Sequence, residues 1–549
     1  MLGTIRFFGN VQSWRTLGAA AFCAVLAACG GGGGSSSSTS STTTTTLSLS
    51  TSASSVASGT AVTLTASISP TAATGTVTFY DSSTSLGSAT LSSGSATLST
   101  SSLAVGSHSI TASYGGSSTY ATSTASAVTV TVTSSSTTST TGTWSSGTCG
   151  YGTGAYVLSS GTLTASNGSY SAASADESAI CLTGTSTSAT LTDATISTSG
   201  ATSSTDNSSF YGLDAAVLAY NGGTLTLSGG TVSTTGQGGN GVYSYGSSTV
   251  NVTSTTINAT GANAHGLYAA GGGILNVTDA TASTAGASSS VVATDRGSGT
   301  ITVTGGTYKA TGSRSAGIYS TGSITATGGT FSTTNAEAVV IEGSNTVTLS
   351  NSALTTTSGT TEHRGVFLYQ SDSGDATNST CGTGACFTMT GGSLTYTDTT
   401  NSSSTATANC SAFAVANQTA HIVLTGVTVS NSCPTLLLSA LNTNWDYAGG
   451  ITDFYAYGET LTGNIIVDSV STASIYLYVN GSTGSTLTGA VNTANTGESV
   501  SMTLDASSKW VVTGTSYLTS LTNANSTNSN ITCQTSGCKV YVNGTALSL

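Results

Sequence analysis

Two short segments gather charged side chains that could act on a substrate. Thr294-Asp-Arg-Gly297 places an acid beside a base, and Thr361-Glu-His-Arg-Gly365 adds a histidine. Enzymes that hydrolyse glycosidic bonds need two carboxyl groups facing one groove. Neighbouring residues of a strand point to opposite faces, so Glu362, His363 and Arg364 cannot all converge on one point. We therefore expect solvated Arg–carboxylate pairs and no catalytic residues, and we keep a polysaccharide lyase or glycoside hydrolase as the alternative function.

Aromatic residues form a second candidate for chemistry, because they recur at one position of a sequence repeat. Gly241-Val-Tyr243, Gly266-Leu-Tyr268, Gly317-Ile-Tyr319 and Gly365-Val-Phe367 share one pattern, which is interrupted at Val292 and Ile341. If each aliphatic residue points inward, the rings point outward on one face, where sugar rings can stack on them. The alternative is a ladder of rings that only stabilises the fold. The candidate glycan-binding residues are Tyr243, Tyr268, Tyr319, Phe367 and Tyr369, beside a loop from Cys381 to Cys386.

The N-terminus has the layout of an export signal, with Arg6 and Arg15 before an apolar run from Leu17 to Leu26. Ten residues of helix span about 15 Å, half of the roughly 30 Å of a bilayer core. Leu26-Ala27-Ala28-Cys29 resembles the lipobox of bacterial lipoproteins. The resemblance implies a signal peptide over 1–28 and an acylated Cys29 that holds the protein on a membrane. The alternative is an ordinary small-residue cleavage site. The glycine that directly follows the cysteine, Gly30, resembles the pattern of lipoproteins that are sent to the outer membrane.

Eight further cysteines are expected to form disulfides, since an even number in an exported chain favours pairing. They are Cys149, Cys181, Cys381, Cys386, Cys410, Cys433, Cys533 and Cys538. Cys381 with Cys386 and Cys533 with Cys538 each enclose four residues with a glycine, which suits local loops. We pair Cys149 with Cys181 and Cys410 with Cys433, although other connectivities stay open. No histidine lies at ligand spacing from the paired cysteines, so no metal site is expected.

The composition predicts an all-β protein whose acidic surface disfavours the binding of polyanions. Only 5% of the 549 residues are charged, Gly is abundant and the formal net charge is −12. Thr, Val, Ile and Tyr favour strands, whereas strong helix formers are scarce. An acidic surface repels phosphate groups, which argues against nucleic acid as a partner and against a basic membrane patch. No Gly-rich loop precedes a helix, so no cofactor is expected.

Two linkers divide the chain. A Gly/Ser/Thr tether over 29–45 is followed by short alternating runs over 46–133, and a second linker covers 134–142. The runs resemble the bacterial Ig-like domains of surface proteins, on the segments Gly75-Thr-Val-Thr-Phe-Tyr-Asp81, Leu103-Ala-Val-Gly-Ser-His108 and Ala112-Ser-Tyr-Gly-Gly116. The resemblance implies a seven-stranded sandwich that acts as a spacer.

Residues 143–549 contain repeats that predict a right-handed parallel β-helix. The equivalent apolar positions are 23 to 26 residues apart and are Leu225, Val250, Leu275, Ile301, Ile324 and Val347. A repeat of this length with short strands and no helix matches one coil of a solenoid, whereas a propeller blade needs about 40 residues. Insertions then widen the spacing to 40 residues between Val347 and Phe387 and to 35 residues between Phe387 and Ile422. The expected fold class is an Ig-like β-sandwich followed by a β-helix.

The C-terminal segments resemble the last coils of bacterial β-helix adhesins and of autotransporter passengers, and the fold is similar to that of pectin lyases. The resemblance is carried by Leu461 to Asn492 and Ser499 to Asn523. Autotransporters continue into a membrane barrel, for which too few residues follow, so we expect the lipid on Cys29 to be the anchor. These features predict a cell-surface lipoprotein that acts as an adhesin or binds host, plant or microbial glycans.

Overall fold

The protein is all-β in a computed structural model, which confirms the predicted fold class. The structure describes residues 42–57, 59–133, 139–358, 364–373, 376, 381, 386–398, 410–442 and 449–549. The predicted signal peptide, Cys29, Glu362 and His363 lie outside the described residues. Within them there is one helix, α1 (Thr205–Tyr211), which Ser204 caps at its N-terminus and Gly212 ends in the left-handed conformation.

The Ig-like unit has two sheets whose inner faces carry alternating apolar residues. Val62, Leu64, Ala66 and Ile68 of one strand are all buried, as the period of two requires. The smaller sheet contains Thr46–Thr51, Val62–Ser69 and Ser95–Thr100. The larger sheet contains Ser55–Ala57, Val128–Thr133, Gly106–Tyr114, Thr76–Asp81, Thr84–Thr90 and the short Ser123–Thr124. The unit thus has two more strands than the seven implied by the resemblance, and the extra ones are short edge strands.

The β-helix is built from three long, mainly parallel sheets, which we call sheets 1, 2 and 3. From the strand Gly152–Leu158 to the strand Thr428–Asn431, each coil contributes one strand to each sheet in that order. Sheet 1 contains Ser145–Cys149, Gly152–Leu158, Glu177–Thr183, Val217–Tyr220, Val242–Tyr245, Leu267–Ala270, Val292–Asp295, Ile318–Ser320, Val339–Glu342, Arg364–Tyr369, Ser411–Ala416, Thr435–Ala440 and Asn464–Val467. Sheet 2 contains Ser139–Thr140, Gly161–Ser166, Thr187–Thr192, Thr224–Ser228, Thr249–Thr253, Ile274–Thr278, Thr300–Thr304, Ser323–Thr327, Thr346–Ser350, Phe387–Thr390, Thr419–Thr425, Ile451–Tyr457, Thr472–Tyr478, Ser499–Leu504 and Ser520–Asn523.

Sheet 3 and two small sheets complete the described coils. Sheet 3 contains Ser169–Ala172, Thr195–Thr198, Thr231–Thr234, Thr256–Ala259, Thr281–Thr284, Thr307–Ala310, Thr330–Thr334, Ala353–Ser358, Ser393–Asp398 and Thr428–Asn431. The small sheets near the C-terminus contain Thr460–Thr462, Thr486–Thr488, Lys509–Val512 and Ile531–Cys533, and Ser516–Leu518, Val540–Val542 and Thr545–Ala546.

Like residues stack on like residues through the core, as the repeat predicts. In sheet 2 Leu225 pairs with Val250, and the column of fully buried residues continues through the other predicted equivalent positions. Val347 then pairs with Phe387 and Phe387 with Ile422, so the two widened coils keep the same register. The described strands of the two widened coils therefore continue the core column without a break.

The turn from sheet 2 to sheet 3 explains why the repeats carry Gly, Asp or Asn at one position. The first turn residue has a positive φ in successive coils, for example Asp193 (50°), Gly229 (66°) and Asn351 (49°). Gly, Asn and Asp adopt this left-handed conformation at the lowest cost. The pairs Gly229-Gly230, Gly305-Gly306, Gly328-Gly329 and Gly391-Gly392 lie at this corner of their coils.

A second column of glycines lies between sheet 3 and sheet 1, where successive coils approach most closely. We call it the glycine ladder, and its members are Gly200, Gly236, Gly261, Gly286 and Gly312. A Cβ on any of the last four would overlap the carbonyl oxygen of the ladder glycine in the preceding coil. Close backbone approach therefore requires glycine at these positions.

All four predicted disulfides are present. Cys149 joins Cys181 with the Cα atoms 6.1 Å apart, and Cys410 joins Cys433 at 6.0 Å. The local pairs, Cys381 with Cys386 and Cys533 with Cys538, also form. The strand Ser145–Cys149 runs antiparallel to the next strand and covers the first edge of sheet 1, so its disulfide fastens the N-terminal cap to the second coil.

Candidate functional site

The outer face of sheet 1 carries two parallel columns of side chains. In each strand the core residue, such as Val242, alternates with an outward residue, such as Tyr243. The first column pairs Tyr243 with Tyr268, Tyr268 with Ala293 and Ala293 with Tyr319, and it continues through Val340 to Phe367. The aromatic residues do lie on one face, as expected. The interrupting residues are Ala293, one residue after the predicted Val292, and Val340, one residue before the predicted Ile341.

The prediction that these rings expose their faces is wrong for Tyr243, Tyr268 and Phe367. Tyr243 and Tyr268 are 0% and 1% exposed, because α1 lies over them and the Tyr243 hydroxyl donates to the Ser209 carbonyl. Phe367 is covered by the Arg364 guanidinium, 4.2 Å from the ring centre, and by Tyr369, whose ring is stacked on it at 4.8 Å.

The second column lies at the last position of the sheet 1 strands and includes two carboxylates. Tyr220 pairs with Tyr245, Tyr245 with Ala270 and Ala270 with Asp295. Glu342 pairs with Tyr369 further along the same column. Asp295 and Glu342 are two coils apart, which places their Cα atoms about 10 Å from each other.

Tyrosine hydroxyls of the first column donate to the carboxylates of the second. The Tyr268 hydroxyl donates to Asp295 at 2.7 Å, and the Tyr319 hydroxyl donates to Glu342 at 2.8 Å. Burial and the neighbouring carboxylates raise the pKa of both tyrosines well above the usual value. Glu342 also accepts from Tyr369 at 3.1 Å, from Ser373 at 3.0 Å and from Ser371. The tyrosines therefore stay protonated and fix the positions of both carboxylates.

A cleft of about 220 Å³ opens at these columns. Its walls contain two tyrosine rings, one acidic and one basic side chain, and several neutral side chains that can form hydrogen bonds. The lining residues are Ser209, Asn263, His265, Tyr268, Ser288, Ser290, Asp295, Arg314 and Tyr319. Asn263, Ser288 and Arg314 have positive φ angles of 53°, 54° and 55° and occupy the same place in successive coils, two residues after a glycine of the ladder. The variable loop position of the repeat thus supplies one wall.

His265 gives the cleft a hydrogen-bond acceptor that stays neutral. Burial lowers the pKa of its imidazole to about 4, although the Ser290 carbonyl bond opposes this shift. Its Nδ1 lies 3.2 Å from that carbonyl, which can only accept, so Nδ1 carries the proton. The ring also stacks on Tyr268 at 4.4 Å. Nε2 is therefore left as an acceptor on a ring that lines the cleft.

The sequence indicated only part of this site. Of the residues named from the aromatic repeat and its neighbours, Tyr268 and Tyr319 line the cleft, and Tyr369 is joined to it through Glu342. Cys381 and Cys386 bond through their backbone amides to Thr419 and His421 of sheet 2, and the loop between the two cysteines lies outside the described residues. Sequence reasoning missed His265, Asn263 and Arg314, and it interpreted Asp295 as a solvated residue. Their signal was a variable position in an otherwise regular repeat.

Chemically, the cleft can bind a ligand rich in hydroxyl groups. Asp295, His265 and the serine hydroxyls accept hydrogen bonds, whereas Arg314 and Asn263 donate them, and the rings offer apolar surface. Among the residues described, no group of three or more His, Cys, Asp or Glu side chains is placed to hold a metal ion.

Residues 49–133 match the family model of the bacterial Ig-like domain (group 3), which confirms the predicted Ig-like unit. No curated protein and no solved structure matches the chain. In the described part of the chain, no helix has the length and apolar character needed to cross a bilayer. An Ig-like domain together with a parallel β-helix fits a surface protein.

Proposed function

We propose that this protein is a cell-surface glycan-binding protein or adhesin, with the Ig-like domain as spacer and the β-helix as the binding module. The observation that carries the proposal is the cleft, where Tyr268 and Tyr319 lie beside Asp295, His265 and Arg314. Sugars present hydroxyl groups around a ring with apolar faces, so polar groups of both kinds beside aromatic rings suit them. Tyr268, Tyr319, Asp295 and His265 are already held by hydrogen bonds within the protein, which limits the entropy lost on binding.

Arg314→Ala is expected to weaken glycan binding about tenfold, because a charge-assisted hydrogen bond to the ligand is lost. Arg314 is exposed, so the melting temperature should change little. Lys309→Ala is the matched control, since Lys309 is an exposed cation of the same coil but lies in sheet 3. The measurement is titration of residues 42–549 with whichever members of a plant, microbial and host glycan array bind the wild type. Equal losses in the two variants, or an array without any binding, would contradict the proposal.

The proposed anchor is a lipid on Cys29, supported by the lipobox-like Leu26-Ala27-Ala28-Cys29 and by the match to a bacterial Ig-like domain. Metabolic labelling with palmitate should mark the wild type, whereas Cys29→Ala should incorporate no label. Cys23→Ala serves as the control, because it removes a thiol from the same segment and should leave labelling intact. Equal labelling of wild type and Cys29→Ala would refute the lipid anchor.

A carbohydrate-active enzyme is the second candidate, favoured by Asp295 and Glu342 on one column. Inverting glycosidases place two carboxyl groups roughly 6.5–9.5 Å apart across the substrate. Glu342, however, is 1% exposed and accepts hydrogen bonds from four side chains, so it has little freedom to move a proton. Release of reducing ends or unsaturated products from any polysaccharide, abolished in Asp295→Asn, would establish the enzyme instead.

A further inference from the structure

A second set of aromatic side chains lies next to the cleft, which we call the tyrosine group: Tyr151, Tyr211, Tyr220 and Tyr245. Tyr151 stacks on Tyr211 with ring centres 4.0 Å apart and planes at 23°. Tyr211 meets Tyr245 edge-on at 5.6 Å, and Tyr245 stacks on Tyr220 at 4.9 Å and 10°. The four rings come from the N-terminal hairpin, from α1 and from two strands of sheet 1, and thus form one continuous aromatic surface.

Tyr151 differs from the other stacked tyrosines of the described residues because most of its side chain is exposed. It is 59% exposed although Tyr211 is stacked on its ring. In sheet 2, by contrast, Tyr455 and Tyr476 are stacked at 4.3 Å and 5°, and both are half-buried. Tyr151 is also held in place, since it follows Cys149 of the disulfide in a tight turn. An exposed, fixed ring is what stacking of a sugar requires.

The tyrosine group is continuous with the cleft. Tyr220 and Tyr245 belong to the column that contains Asp295, and α1 places Tyr211 in the group and Ser209 in the cleft wall. From the coil of Tyr220 to the coil of Tyr319 there are four coil steps, which correspond to about 19 Å along the stack. One sugar ring cannot span this distance, whereas a short linear oligosaccharide can.

We propose that the ligand is a linear glycan of several units that lies along the coil stack, with one ring stacked on Tyr151 and another in the cleft. This inference rests on the proposed glycan-binding function and makes it specific, because it selects internal segments of a polymer over single terminal sugars. The tyrosine group contributes apolar stacking, and the cleft contributes the hydrogen bonds that fix the position of the chain.

The test is affinity as a function of ligand length, measured with cello-, xylo- and chito-oligosaccharides from monosaccharide to hexasaccharide. Wild type should bind the longer members more tightly. Tyr151→Ala should weaken the longest members about fivefold to tenfold and leave the shortest unchanged, since only long chains reach the ring. Tyr151→Phe should bind like wild type, because it keeps the ring. Tyr476→Ala is the control for loss of a tyrosine elsewhere, with binding unchanged.

The outcomes separate the two proposals. If Arg314→Ala weakens binding but Tyr151→Ala binds every length like wild type, the linear-glycan inference is overturned and the glycan-binding proposal stands. If wild type binds no member of any series or of the array, both fail. If Tyr151→Ala changes the sedimentation behaviour of the protein but not its affinity, the tyrosine group is a contact between two copies of the chain, and the inference is likewise overturned.

Discussion

Gly286→Ala should destabilise the β-helix by about 3 kcal/mol or more, because the new methyl group has no space. Its Cβ would overlap the carbonyl oxygen of Gly261 in the preceding coil. Neither atom can turn away, because the oxygen is part of the backbone and the Cβ is attached directly to it. The coil would have to separate from its neighbour and break hydrogen bonds on both sides of the ladder. Chemical denaturation of the purified β-helix, followed by circular dichroism, measures the loss.

Gly147→Ala is the matched control for this prediction. Gly147 lies in the first strand of sheet 1, is exposed, and has no atom within 4 Å of the position a Cβ would take. Its substitution should leave the free energy of unfolding nearly unchanged. If Gly286→Ala and Gly147→Ala unfold at the same denaturant concentration, the glycine ladder is not a site of obligatory close approach.

A rise from pH 5 to pH 8 should remove about 2–3 kcal/mol of stability through each of two buried carboxyl groups, Asp214 and Glu459. Asp214 is 0% exposed, and burial raises its pKa to about 7. The charges of Asp176 and Glu177 add to this shift, whereas the backbone amide of Glu177 and the Thr198 hydroxyl oppose it. Glu459 is 1% exposed with a pKa near 7 for the same main reason, although one oxygen accepts from the Val427 amide at 2.8 Å.

The sign follows from proton uptake. Both carboxyl groups ionise near pH 4 in the unfolded chain but near pH 7 in the folded protein, so between these values the folded state binds more protons. The stabilisation is complete below about pH 4 and is lost as the pH rises through about 7. His265 acts in the opposite direction, because its lowered pKa makes the folded state lose stability as the pH falls from about 6.5 to 4.

Substitutions isolate the effect of the carboxyl groups from that of His265. Asp214→Asn and Glu459→Gln keep the shape of the side chains without a titrating group, so the difference in unfolding free energy between pH 5 and pH 8 should shrink in each. Asp468→Asn is a control on a half-exposed carboxylate that bonds to the Leu441 amide. An unchanged pH dependence in the double variant would show that these groups do not titrate as described.

The sequence predicted the coil stack because the stack has a strict period. Every coil must place an apolar residue in the same column, so positions such as Leu225 and Val250 identify one another. The two local disulfides could be paired because each encloses a short loop, whereas the pairing of Cys149 with Cys181 and of Cys410 with Cys433 was one of several open connectivities. The glycine ladder is visible in the sequence too, but only the structure shows the carbonyl group that each glycine meets.

The site was harder to predict because it depends on an insertion that breaks the period. Helix α1 occurs once in the described residues, and it buries Tyr243 and Tyr268 that would otherwise be open. Nothing in the repeat indicates where such an insertion folds. Asp295 and Arg314 are separated in sequence but both line the cleft because the coils are stacked. A pattern along the chain does not show which residues of neighbouring coils will line the same cleft.

The disulfide between Cys149 and Cys181 has a mechanical consequence. Hydrogen bonds between coils run along the axis of the stack. Tension on one end can therefore peel off one coil at a time, and only the few hydrogen bonds between that coil and the next resist each step. The Ig-like domain precedes the β-helix in the chain, so tension transmitted from the N-terminal side reaches the first coil at its cap. A covalent bond there ties the cap to the second coil, and the segment between the two cysteines, which are 32 positions apart in sequence, cannot unroll under load. Peeling from this end must therefore begin beyond the fastened coil, and a reducing agent should make the protein more extensible when it is pulled from its N-terminus.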